Sequence, residues 1–178
     1  MTVVDAFPAV DAILADHAQA LGGDRAAYRN HVTRVLNFYL ALSGRPAVPE
    51  AVLIAGAFHD LGIWTHRTFD YLAPSMDLAS RHLSAIGRLA LDEEVRALIY
   101  EHHKLGRYDQ QFAATVETFR RADLADLSLG AIRSGLSREF VRSVRRALPN
   151  AGFHRRLVTL SLRQFVRSPW RPLPMFHA

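Results

Sequence analysis

The stretch Ala55-Gly56-Ala57-Phe58-His59-Asp60-Leu61-Gly62 sets one imidazole and one carboxylate at the end of an otherwise apolar run. That run reaches back through Ala51-Val52-Leu53-Ile54 to Glu50. Its apolar density predicts a buried helix over Glu50 to Leu61. An ionised carboxylate in such a place costs free energy unless a cation or strong hydrogen bonds compensate. Gly62 ends the helix or bends the chain sharply. Adjacent helical side chains diverge by about 100°, yet a long imidazole and a short carboxylate can still converge on one ion beside the helix. Alone, a His-Asp pair is usually a surface pair or a cap, so its meaning depends on what the remaining chain brings to it.

Outward from this tract the chain reads as helices with short, punctuated connections. Ala9 to Leu21 is helical and closed by Gly22-Gly23. Asp24 can cap a helix running through Tyr28, His31, Val35, Leu36 and Tyr39 to Ser43-Gly44. Pro46 and Pro49 mark the next loop. Ile63 to Pro74 lacks a clear period and reads as a packed loop containing Trp64, Phe69 and Tyr71. Ser75 can cap Met76 to Ile86, and Asp92 can cap Glu93 to His103. Helices over Thr115 to Leu129, Ser137 to Leu148 and Phe153 to Val166 follow, then the proline-punctuated tail Ser168-Pro169-Trp170-Arg171-Pro172-Leu173-Pro174-Met175-Phe176. No convincing alternating strand and no internal repeat is visible. The expectation is an all-α fold of about 6–8 helices.

Composition narrows the function classes. The 178 residues are 49% hydrophobic and 22% charged, with a mean hydropathy of +0.00. Those values exclude a disordered chain and a membrane-embedded one. The absence of Cys removes disulfides, thiolate zinc sites, iron–sulfur clusters and cysteine nucleophiles together. Nine His and eleven Asp remain as metal-ligating groups. The first residues have no basic leader before an apolar run, and no run of eighteen apolar residues occurs, so a cytoplasmic protein is expected. A chain this long buries roughly two thirds of its unfolded surface, enough to fold without a metal. The net charge of +5 is unevenly spread. Residues 1–126 carry 12 basic and 16 acidic side chains, whereas residues 127–178 carry ten Arg and only Glu139. Such a basic third attracts anions, but no aromatic-basic recognition motif accompanies it, which argues against a nucleic-acid partner. Arg138, Arg142, Arg145 and Arg146 read as a solvated helix face. Trp170, Pro172, Pro174, Met175 and Phe176 are expected to pack across the core or against a second subunit, which leaves a homo-oligomer open.

The His-Asp tract has company in His31, in His102-His103 near a helix end, and in Asp123 within Arg121-Ala122-Asp123-Leu124. Each lies on an expected helix with apolar neighbours, so several helices can offer ligands to one cavity, as bundle metal sites do. The ordered pattern His, His-Asp, Asp resembles the HD-domain superfamily of metal-dependent enzymes, over roughly residues 24–130. The expected organisation is a single domain over residues 1–178, with the HD-like core over about 24–130 and an Arg-rich helical extension over about 131–178. The resemblance implies metal ligands at His31, His59, Asp60 and Asp123, with Asp126 behind Asp123 as a supporting or capping residue. The cofactor implied is a divalent transition ion: Mn, Fe, Zn, Co or Ni. The binuclear branches of the superfamily place further histidines between the pair and the last Asp. His102-His103 resembles one of these, but His82 falls too late for the other, so one ion is expected rather than two.

The leading expectation is a metal-dependent hydrolase acting on a small phosphorylated compound, such as a nucleotide, through a metal-activated water. Asp60 would orient that water or take its proton, while His102, His103 and Lys104 would act at the substrate phosphate. Many phosphohydrolases of the superfamily carry Lys after the glycine; here Ile63 stands there, so Arg34, Arg67 and Lys104 are the expected substrate-binding cations. Two alternatives are an HD-type diiron oxygenase and a non-enzymatic helical binding module with a structural metal. His17, His66, His154 and His177 read as surface or packing residues.

Overall fold

A computed structural model describes residues 2–167 together with Trp170 and Met175. The described residues form ten α-helical segments and no strand, as expected for an all-α protein. In chain order the segments are α1 (Pro8–Asp16), α2 (Ala18–Leu21), α3 (Arg25–Ser43), α4 (Glu50–Phe58), α5 (Gly62–Thr65), α6 (Leu72–Ala85), α7 (Asp92–Glu101), α8 (Ala113–Leu127), α9 (Arg138–Ala147) and α10 (Phe153–Arg167). Eight of them span nine residues or more, and α2 and α5 are single turns. None is long and apolar enough to cross a membrane.

The organising element is α3. Tyr28, Val32, Val35, Leu36, Phe38 and Tyr39 lie on several of its faces, and all are buried. It is therefore enclosed, with α8, α4, α1, α9 and α10 packed around it. Gly44 closes it in the left-handed conformation (φ 65°), its N–H donating to Leu40 O. The apolar α4 fills the space between α3, α1 and α7. This arrangement aims the inner ends of α3, α4, α7 and α8 at one point.

Several local differences from the sequence reading have physical causes. The first helix breaks at His17, which leaves helical dihedrals (φ −104°, ψ 13°) and packs its ring edge-on against Phe58. Helix α4 ends at Phe58, not Leu61, because the chain tightens there. Leu61 N–H donates to Phe58 O at 2.9 Å and Ile63 N–H to Asp60 O at 3.0 Å. The expected loop after Gly62 begins with the single turn α5, and α6 starts at Leu72 with Pro74 in its first turn, where a missing N–H costs nothing. Ser75 is thus no cap; its Oγ accepts from Gly62 N–H at 3.0 Å. Asp24 and Asp92 make no capping hydrogen bond either, and Asp92 accepts instead from the Ser80 hydroxyl.

Candidate metal centre

The tightened turn after α4 creates the site. A regular helix would spend Gly56 O on the Asp60 amide and Ala57 O on the Leu61 amide. Here Gly56 O accepts from His59 Nδ1–H at 2.8 Å, and Ala57 O accepts from the Tyr28 hydroxyl at 3.0 Å. The Asp60 amide donates to the same Tyr28 oxygen at 3.2 Å. Groups released by the broken ladder therefore orient His59 and anchor Asp60. Gly62 is required by close approach: a Cβ there would lie 2.6 Å from Tyr71 O and 2.9 Å from Ser75 Oγ.

Four side chains from three places in the fold converge. His31 comes from α3, His59 and Asp60 from the turn, and Asp123 from α8. His31 Nε2 lies 3.0 Å from His59 Nε2, 3.5 Å from Asp123 Oδ1 and 3.7 Å from Asp60 Oδ2. His59 Nε2 lies 3.5 Å from Asp60 Oδ2 and 3.7 Å from Asp123 Oδ1. A divalent ion sits about 2.0–2.2 Å from imidazole or carboxylate donors, so donors sharing one are spaced by such distances. All four side chains are buried.

Protonation makes the cluster diagnostic. A carbonyl cannot donate, so His59 Nδ1 carries the hydrogen and Nε2 presents a lone pair. His31 Nδ1 faces Asp126 Oδ2 at 2.8 Å, and Asp126 is kept ionised by Arg34, whose Nε and Nη2 donate to it at 2.6 and 2.8 Å. His31 Nδ1 is then the donor, and in the neutral ring its Nε2 presents a lone pair. At 3.0 Å these two nitrogens need a proton or a metal ion between them. The same holds on the other side of Asp60. His102 Nδ1 donates to Ile99 O at 2.6 Å, and its Nε2 faces Asp60 Oδ1 at 3.5 Å. Both of those atoms are buried without a hydrogen-bond partner. The donor groups fit metal ions: His31, His59 and Asp60 form one set, and Asp60, His102 and His103 another.

The electrostatics follow from the enclosure. Burial pushes His59 down to about 3, keeping its imidazole neutral. Burial alone would raise Asp60, but the facing His59, His102 and His31 outweigh it and hold the carboxyl well below its ordinary range. Burial, reinforced by Asp60 and Asp126, raises Asp123 to about 6. For His102, burial is outweighed by Asp60 and Asp123, which raise it. For Asp126, burial is outweighed by the Arg34 and His31 hydrogen bonds, which lower it. Burial and the neighbouring His102 push His103 well down.

The remaining expected site residues are placed unequally. His103 Nδ1 is 3.9 Å from Asp123 Oδ2, and its Nε2 is hydrogen-bonded to the Tyr71 hydroxyl at 2.8 Å. Lys104 lines a cavity of about 80 Å³ with His102, His103 and Asp123. Arg34 is not placed to meet substrate: it is 1% exposed, and its Nη1 donates to Leu148 O and Pro149 O at 3.1 and 3.2 Å. Arg67 lines a separate cavity. His82 packs against Phe58 and joins neither donor set. His154, half-buried, faces the carbonyls of Asp126 and Leu127, while His66 is exposed; His177 lies outside the described residues.

A second cavity of about 160 Å³ opens onto His31, Asp60, His103 and Asp123. Its outer walls are Phe69, Leu127, Phe153, Leu157 and Met175. Of the tail, buried Met175 thus reaches this cavity while Trp170 is 94% exposed; Pro172, Pro174 and Phe176 lie outside the described residues. Sequence reasoning missed Tyr71, the positioning role of Arg34, and Phe153, whose ring stacks on His31 at 4.1 Å. A signal for Arg34 was present: His31/Arg34 and Asp123/Asp126 are both i, i+3 pairs, each aligned on one helix face. No protein-family model, curated protein or solved structure matches the chain.

Proposed function

We propose that the protein is an HD-like, metal-dependent hydrolase acting on a small phosphorylated compound. The observation that carries this reading is the close approach of two imidazole nitrogens, His31 Nε2 and His59 Nε2, 3.0 Å apart beside two carboxylates in a buried site. His31, His59, Asp60 Oδ2 and Asp123 Oδ1 would hold the ion. A divalent ion there polarises a substrate oxygen and acidifies water. Asp60 borders both the ligand cluster and the cavity, where it can orient a water and accept its proton. His103, held by Tyr71, lines that cavity, and Lys104 lines the adjoining cavity of about 80 Å³ that shares His103 and Asp123 with it; from there they would supply hydrogen bonds and positive charge to the phosphoryl oxygens. The apolar walls exclude bulk water and strengthen those interactions. An opening onto the ligands supports catalysis over a purely structural ion, which needs none.

Metal analysis of protein purified without added metal, combined with phosphate-ester hydrolysis, tests the reading. Wild type is expected to carry a divalent transition metal and hydrolyse the ester, with both lost in His59→Ala and Asp60→Ala. Stoichiometric metal in purified Asp60→Ala overturns the ligand assignment, and metal-loaded protein inert toward phosphate esters overturns the activity.

A second reading, a diiron oxygenase, is favoured by one observation: the unpartnered Asp60 Oδ1 and His102 Nε2. They offer a place for a second ion that shares Asp60. Two irons per chain with an oxygen-reactive spectrum, and loss of the second iron in the His102→Ala/His103→Ala double variant, would establish it.

A further inference from the structure

Behind the metal cavity lies a larger one of about 560 Å³, within the range of small-molecule sites. Its lining includes three guanidinium groups, Arg67, Arg156 and Arg163, with Asp24 as the lining carboxylate. Asp24 is already engaged: its Oδ2 accepts from Trp64 Nε1–H at 3.0 Å and pairs with Arg156 Nε at 3.1 Å. Arg67 and Arg163 form no ion pair among the described residues. The cavity therefore carries surplus positive charge. Arg67 has a φ of +52°, a conformation that L side chains rarely adopt, so the α5–α6 loop holds it there against its own preference.

The two cavities share a wall. Phe69 lines both. From the α5–α6 loop, Arg67 and Thr68 face the arginine cavity while Tyr71 faces the metal cavity. On α10, Arg156, Leu160 and Arg163 line the first, and Leu157 and Ser161, one position further on, line the second. The metal cavity has room for a reacting group and no arginine in its lining. A phosphorylated substrate needs cations for its remaining charge, and those lie one side chain away. We propose that the arginine cavity is an anion subsite that holds a phosphate group through Arg67, Arg163 and Arg156. Guanidinium groups suit this ligand because their planar donor forks match phosphate oxygens. The subsite stands on its own lining; that it serves the metal-centred reaction rests on the proposed hydrolase reading.

Calorimetric titration of the intact protein with inorganic pyrophosphate at low salt tests the subsite. Binding is expected in wild type, retained in His59→Ala, and weakened at least tenfold in Arg67→Ala/Arg163→Ala. Both arginines are exposed, so circular dichroism should show the double variant folded. An equal charge change at exposed α9 positions, Arg142→Ala/Arg146→Ala, should leave binding within twofold. No pyrophosphate binding, binding that vanishes with His59→Ala, or equal weakening in the two arginine variants would each overturn the subsite. Ester turnover is read separately. Arginine-dependent binding without turnover sinks the hydrolase reading alone, and turnover with binding insensitive to Arg67 and Arg163 sinks the subsite alone. Where both hold, Arg67→Ala should raise KM with kcat within a few-fold, the signature of lost uniform binding.

Discussion

Asp126 does not enter the cluster of His31, His59, Asp60 and Asp123, yet it decides how His31 presents itself. Its carboxylate accepts from His31 Nδ1 and takes a two-pronged hydrogen bond from Arg34, and Arg145 Nη1 stands 4.0 Å away. Arg145 is thus turned inward, unlike exposed Arg138, Arg142 and Arg146 on the same helix. A carboxylate behind a ligating imidazole fixes its tautomer and raises its basicity. Asp126→Asn should therefore lower metal affinity about 10–100-fold, read by competition with a chromogenic chelator, and it also costs stability because Arg34 stays buried without its counter-charge. Arg34→Met leaves the opposite charge stranded. It removes the cation from a fully enclosed carboxylate, and breaking a buried pair this way costs about 3–5 kcal/mol. Urea unfolding measures it; a loss under about 1 kcal/mol would mean that Arg145 or water takes over. The residues of the buried cluster were legible in the sequence because imidazole and carboxylate on apolar helices have few other uses. Arg34 was misplaced as a substrate contact because its partner lies 92 residues away, and only packing brings α3 and α8 together.

Elements carry the second lesson, at the turn between α4 and α5. Helix existence was readable from apolar spacing, since α3, α4, α7, α8 and α9 stand near their expected positions. The ends were not, because they depend on side chains from elsewhere: Tyr28 rescues the amides broken at Asp60, and Ser75 receives Gly62. Gly62→Ala would press a methyl group into the Tyr71 carbonyl, so α6 or the turn must shift. Overpacking of this kind costs about 1–3 kcal/mol. The shift also moves Asp60, so metal affinity should fall with stability, and a variant with full metal affinity would show that the turn absorbs the methyl group harmlessly. Helix α9 predicts the opposite outcome. Its apolar side, Phe140, Val141 and Val144, packs inward, with Phe140 edge-on to Phe38, while Arg142 and Arg146 are exposed. Charge reversal at both should leave metal content unchanged and turnover within several-fold; a collapse of activity in folded, metal-loaded protein would place α9 at the substrate.

Across the whole molecule, a continuous apolar core surrounds a polar cluster that is satisfied only by cations. The core runs from Val10 and Leu14 on α1 through α3 and α4 to Val116 and Phe119 on α8. It is extensive enough that an ion is not needed to form it, so chelation should leave the helical circular dichroism intact. The cluster must nevertheless take up something, and in the metal-free protein protons are the substitute. Asp123 is the group to follow, because burial and neighbouring carboxylates raise it from 3.8 to about 6. A carboxyl raised on folding favours the folded state while protonated, so the metal-free protein loses that contribution as pH climbs through about 6. A bound ion displaces the proton, and its stabilisation must grow over the same interval. At a free metal concentration of 100 times Kd the increment is about 2.7 kcal/mol. For a chain of this length that corresponds to a rise in Tm of about 5–10 °C. Thermal unfolding with and without metal should show this rise at pH 7.5 and much less of it at pH 5. In Asp123→Asn, which has no proton to release there, the metal-induced rise should be smaller and nearly flat across pH 5–7.5. An undiminished pH dependence in that variant would assign the proton to His102 instead.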